Sequence, residues 1–125
     1  MDENEWSNKI IGACIEVHRN LGPGLLESIY QQCLAREFSL QGIPFKKEIS
    51  KPVSYKGVLM ECGLRLDFMV DNQVIVELKA VEKLLPVHKS QIITYLKLTS
   101  CKLGLLINFN VPILKDGIER IALDL

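Results

Sequence analysis

A chain of 125 residues is the length of one ordinary domain, and 48% apolar with 24% charged residues is the balance of a globular protein rather than a disordered one. Fifteen Lys and Arg against fifteen Asp and Glu leave no net charge, which excludes a protein that holds nucleic acid simply by being basic. No apolar run reaches the roughly 18 residues that cross a bilayer, and the acidic start is unlike a secretory signal, so a cytoplasmic protein with no membrane partner is expected.

Between residues 6 and 21, the apolar positions Trp6, Ile10, Cys14, Val17 and Leu21 recur at helical spacing, the stripe of an amphipathic helix. Gly22-Pro23-Gly24 interrupts it. A second helical pattern follows to about Gln41, with Leu26, Tyr30, Cys33, Leu34 and Phe38 on one side and Gly42 as its stop, so the chain opens with two helices or one kinked helix. From Pro44 to Met60 the residues favour strands, and Lys56-Gly57 marks a tight turn between them.

The next stretch alternates. Leu64, Leu66, Phe68 and Val70 interleave with Arg65, Asp67 and Met69, and after a polar turn Val74, Val76 and Leu78 interleave with Ile75, Glu77 and Lys79. This predicts a hairpin with one apolar face. Directly opposed residues share a face, so the two apolar rows coincide when Val70 pairs with Val74 across the loop Asp71-Asn72-Gln73. That register sets Phe68 opposite Val76, Leu66 opposite Leu78 and Asp67 opposite Glu77.

Pro86 suits the first turn of a helix running to about Thr99, with His88, Gln91 and Tyr95 along one flank. The apolar run from Leu103 to Phe109 predicts a central strand buried on both faces, and Asp116-Gly117 turns the chain into a last short strand from Ile118 to Leu123. No repeat or linker divides the sequence, so one domain spanning residues 1–125 is expected. Cys14, Cys33, Cys62 and Cys101 form no CxxC pair and sit among apolar neighbours, which reads as small buried hydrophobes rather than a zinc site or disulfide frame. Residues 46–102 carry ten basic against six acidic residues, and the rest of the chain five against nine, so basic charge gathers around the hairpin.

With Cβ atoms roughly 5 Å apart, Asp67 and Glu77 could share a hard cation such as Mg²⁺ or Mn²⁺. Lys79, roughly 7 Å further along the same face, could reach a phosphate oxygen or a water beside that cation. Cation, carboxylates and amine together suit phosphodiester hydrolysis. The plain alternative is a surface ion-pair cluster, and the residues alone favour it.

The segment from His18 to Tyr30 resembles the signature of the GxxExxY proteins, a family within the PD-(D/E)XK nuclease superfamily, with Gly24, Glu27 and Tyr30 at the three named positions. The resemblance continues through Leu66-Asp67-Phe68, Val76-Glu77-Leu78-Lys79, Gln91 to Tyr95 and Leu105 to Phe109. It implies an α/β (α+β) PD-(D/E)XK nuclease-like fold, a central mixed β-sheet flanked by helices. It also implies Asp67, Glu77, Lys79 and Glu27 as catalytic residues, with Asp67, Glu77 and Glu27 as metal ligands for Mg²⁺ or Mn²⁺. Gln91 and Tyr95 resemble a QxxxY element that touches substrate, and Tyr30 joins them as a substrate-binding candidate, although an aromatic at helical spacing also fits core packing. Leu66 stands where a proline usually precedes the first acidic residue. The expected function is a metal-dependent nuclease acting on DNA, able to form a homodimer. The alternative is a non-catalytic nucleic-acid-binding or protein-interaction module that retains the nuclease fold.

Overall fold

The computed structural model describes residues 1–124, with the side chain of Cys62 left aside, so the reading of Cys62 as a buried hydrophobe lies outside the described residues. Among the described residues, three α-helices and five strands follow one another as α1 (Glu3–Leu21), α2 (Glu27–Gln41), β1 (Phe45–Tyr55), β2 (Val58–Val70), β3 (Val74–Lys79), α3 (Pro86–Thr99), β4 (Leu103–Asn108) and β5 (Ile118–Ala122), with a short 3-10 helix, Leu114–Gly117, before β5. The strands form one sheet in the order β1-β2-β3-β4-β5, parallel between β3 and β4 and antiparallel elsewhere. This is the mixed sheet flanked by helices that the resemblance implies, with α3 as the crossover that lets β3 and β4 run parallel.

Helix α1 starts earlier than its apolar stripe, because the Asp2 carboxylate accepts the Glu5 amide at 2.8 Å and the Glu5 side chain caps the Asp2 amide in return. The chain breaks between α1 and α2, where Gly22 and Gly24 adopt φ of 71° and 94°. Leu26, expected on the buried stripe, precedes the first turn of α2 and is exposed. The Lys56-Gly57 turn has φ of 48° and 82°, the two positive values of a two-residue hairpin turn.

Two apolar layers enclose the sheet. One unites α1 and α2 with Phe68, Val70, Val76 and Leu78, and the other packs α3 through Ile92 and Leu96 onto Leu66, Met69, Ile75 and Leu106. The hairpin expected to have one apolar face therefore has two, since α3 covers the side that carries Met69 and Ile75. Strand β4 is buried throughout, as its unbroken apolar run requires. Cys14 and Cys101 are free and buried, Cys33 is free and half-buried, and burial pushes the Cys14 thiol up, away from reactivity. Among the described residues, no helix is long and apolar enough to cross a membrane.

Candidate active site

Strands β2 and β3 pair at Val70↔Val74, Met69↔Ile75 and Phe68↔Val76, the register demanded by the apolar alternation. The ladder then stops. Beyond it the Asp67 amide donates to Glu77 Oε1 at 3.0 Å, and the Leu78 amide donates to Asp67 Oδ2 at 2.8 Å. Each carboxylate thus accepts an amide from the other strand, so the strands separate without leaving those buried donors unpaired. The separation also changes the expected pattern: Leu66 turns into the α3 layer while Phe68 stays in the α1/α2 layer, and no Leu66–Leu78 pair forms.

The gap admits side chains from both helical layers. A cleft of about 430 Å³ is lined by Glu27 from α2, Asp67 from β2, Glu77 and Lys79 from β3, and Gln91 and Tyr95 from α3. Gln31, one turn after Glu27, donates from Nε2 to Asp67 Oδ1 at 2.9 Å, so both oxygens of Asp67 are oriented by donors. At the far end of β3, the Phe109 amide donates to the Lys79 carbonyl at 2.9 Å. The buried Asn108 amide clamps Val81, accepting its N–H at 3.1 Å and donating to its carbonyl at 2.9 Å. These bonds fix the chain from Lys79 onward, as the bond from the Leu78 amide to Asp67 fixes it just before.

Acidic charge in the cleft is under strain from burial. Glu77 is 5% exposed, and its carboxyl is pushed up to about 8, by desolvation first and by the charge of Asp67 second, with the Asp67 amide and Lys79 opposing. Glu27 is raised by burial and by Asp67, against the pull of Lys79. The Tyr95 hydroxyl is raised by burial and by Glu77. A positive charge placed among these groups would relieve all three.

Comparison with family models gives a match to the PD-(D/E)XK nuclease superfamily over residues 4–121, nearly the whole chain. The chain belongs to the PD-(D/E)XK nuclease superfamily. Neither curated proteins nor solved structures give a match. Membership supports a nuclease, a hydrolase of phosphodiester bonds, and members of this superfamily typically use divalent metals.

The donor set fits that chemistry. Carboxylate oxygens are the ligands hard cations take, and a buried Glu77 whose ionised form is disfavoured is offset by a cation beside it. Asp67 and Glu77 are the pair held together. Among the described residues no group of three His, Cys, Asp or Glu stands close enough to form a ready cage, so Glu27 lies in the same cleft without completing one. Water completes such sites for Mg²⁺, which keeps several waters when bound.

Tyr30 does not lie in the cleft. It is wholly buried, stacked on Phe109 at 4.5 Å between ring centroids, and its hydroxyl donates to the Gly22 carbonyl at 2.6 Å and accepts the Leu25 amide at 3.2 Å. It holds the glycine loop that starts α2 and, expected to touch substrate, is instead enclosed in the core. His18 is likewise internal, with Nε2 2.8 Å from the Val111 carbonyl. His88 accepts the Leu85 amide on Nδ1 at 3.0 Å and so closes the first turn of α3.

Sequence reasoning missed Gln31, Arg65 and Asn108. Gln31 was visible as the residue four after Glu27, and Arg65, which also lines the cleft, as the residue two before Asp67. Asn108 stood out as the one amide in an apolar strand.

Proposed function

We propose that this chain is a metal-dependent nuclease that hydrolyses phosphodiester bonds in DNA, of the GxxExxY kind within its superfamily, with Gly24, Glu27 and Tyr30 at the signature positions. The observation that carries this reading is the pair Asp67 and Glu77, each bonded to the other strand's backbone, facing one cleft with Lys79. Asp67 and Glu77 would hold Mg²⁺ or Mn²⁺, with Glu27 assisting from the rim. When bound, such an ion supplies Lewis-acid polarisation of a phosphoryl oxygen.

The other roles belong to the chain itself. Gln31 and the Leu78 amide keep Asp67 turned into the cleft. The Lys79 ammonium stabilises negative charge as it develops on the phosphate, or orients the attacking water. Gln91 and Tyr95 border the same space and offer an amide and a hydroxyl to the substrate.

The test is incubation of the protein with single- and double-stranded DNA and with RNA, in Mg²⁺ or Mn²⁺, beside Lys79→Ala. Cleavage by the wild type, reduced roughly 10²–10³-fold in the variant, is expected. No cleavage above the variant on any substrate overturns the reading. The second reading is a nucleic-acid-binding or interaction module that keeps the fold, and the zero net charge of a 125-residue chain, which offers little surface to hold a duplex for turnover, is what favours it. Binding of nucleic acid without turnover in Mn²⁺ would select it.

A further inference from the structure

From residue 58 to residue 67, β2 has β1 as its strand neighbour and does not pair with β3, whose ladder to β2 ends at Phe68. The two strands therefore run on as a ribbon beyond the sheet. At 3.3 Å per residue, this arm reaches roughly 30 Å from Asp67. Around its turn Tyr55, Val58, Leu59 and Met60 are 45–60% exposed. Val53, Tyr55, Val58 and Met60 share one face by their pairing, Val53↔Met60 and Tyr55↔Val58.

Charge on this arm departs from the neutrality of the whole. From residue 45 to 65 it carries Lys46, Lys47, Lys51, Lys56 and Arg65 against Glu48 and Glu61. The basic track begins at the active site: Arg65 lines the cleft with Asp67, and Lys47 lines a smaller pocket that also reaches Asp67. Among the described residues the ion-pair contact of Arg65 is a long one to Glu48, at 3.8 Å, and its side chain is 71% exposed, so its guanidinium is accessible to another anion. Lys51 and Lys56 carry the track to the tip, and the Lys56 ammonium lies 5.3 Å from the Tyr55 ring centroid.

We infer that the β1–β2 arm is a grip for double-helical DNA, in which Lys51 and Lys56 meet backbone phosphates while the ribbon lies along the major groove. This rests on the nuclease reading of the cleft and names the form of its substrate. Cations thus stand beside the site, along the arm and at its tip, with Arg65 and Lys51 on opposite faces of the ribbon, so a polyanion that takes the ribbon into a groove meets charge on both sides of it. A two-stranded ribbon fits the B-form major groove, whereas the deep, narrow major groove of duplex RNA does not admit it. The exposed apolar face is suited to thymine methyl groups. A second copy of the chain fits less well, because Lys46, Lys47, Lys51 and Pro52 on edge strand β1 oppose the addition of another strand.

The experiment is fluorescence anisotropy with the full chain and a labelled 20-bp DNA duplex in EDTA, so that binding is read without cleavage. Wild type is compared with K51A/K56A and with the charge-matched control K9A/K115A, at 50–200 mM salt. Two lost phosphate contacts lower the slope of log K against log salt by about 1.8, so that raising salt from 50 to 200 mM weakens the variant roughly tenfold less than the wild type. The control keeps the wild-type slope, and an RNA duplex of the same sequence binds more weakly. Equal slopes for wild type and K51A/K56A, equal binding of the RNA duplex, or no binding of DNA by the wild type at 50 mM salt each overturn the inference. So does a dimer in sedimentation that Tyr55→Ser dissolves. Because metal is absent throughout, failure of catalysis in the cleavage assay leaves this result independent.

Discussion

Replacing Glu77 by Gln should make the metal-free protein more stable above neutral pH, although it alters a residue of the site. Burial and the neighbouring Asp67 raise the Glu77 carboxyl from 4.5 to about 8, so the folded state holds a proton that the unfolded chain releases. Below about pH 4.5 both states are protonated and Glu77 contributes no pH dependence. Between there and about 8 the folded state binds more protons, so stability falls as pH rises, and it levels off above. At 1.36 kcal/mol per unit, the loss attributable to Glu77 between pH 5 and pH 8 is on the order of 3 kcal/mol, a fall in Tm of roughly 10 °C. Gln is isosteric and keeps an oxygen for the Asp67 amide, so the fold survives the change. Thermal melts in EDTA at several pH values, for wild type and Glu77→Gln, check this, since groups titrating in both proteins cancel in the difference. Mn²⁺ added at pH 8 should restore the wild type and not the variant. Parallel pH profiles for the two proteins would refute the electrostatic account of the site.

Gln31→Ala removes the side-chain donor to Asp67 Oδ1 and should weaken Mn²⁺ binding roughly 10- to 100-fold in calorimetry, with little effect on Tm. Tyr30→Phe deletes the hydroxyl that joins Gly22 and Leu25, which should cost about 1–3 kcal/mol in urea unfolding, while cleavage well below the melting temperature stays at the wild-type rate. A fall in that rate with stability intact would return Tyr30 to the substrate. Gly104→Ala places a Cβ 2.6 Å from the Ile92 side chain beneath α3 and should destabilise by about 1–3 kcal/mol, measured by the same unfolding.

Local chemistry wrote most of the secondary structure into the sequence. Pro86 begins α3, Gly42 ends α2 with φ of 71°, and Lys56-Gly57 makes the two-residue turn, because each depends on backbone preferences of a few neighbouring residues. The register of β2 on β3 was legible for a related reason: period-two alternation leaves one pairing that joins Val70 to Val74 and Phe68 to Val76. From that register alone, Asp67 and Glu77 had to come close.

What alternation could not convey is where the pairing ends. Leu66 and Phe68 look equivalent in a strand of alternating residues, yet they enter opposite layers because β2 leaves β3 at Asp67, and the cost of separating the strands is offset by carboxylates bonding to amides distant in sequence. Gln31 meets Asp67 across 36 residues, and Gln91 and Tyr95 enter the cleft from the opposite layer, contacts that only the packing of α2 and α3 on the two faces of the sheet determines. Burial decided the rest. The sequence could not reveal that Glu77 would be removed from water while Tyr30 disappeared into the core, because desolvation is a property of everything packed around a residue rather than of the residue itself.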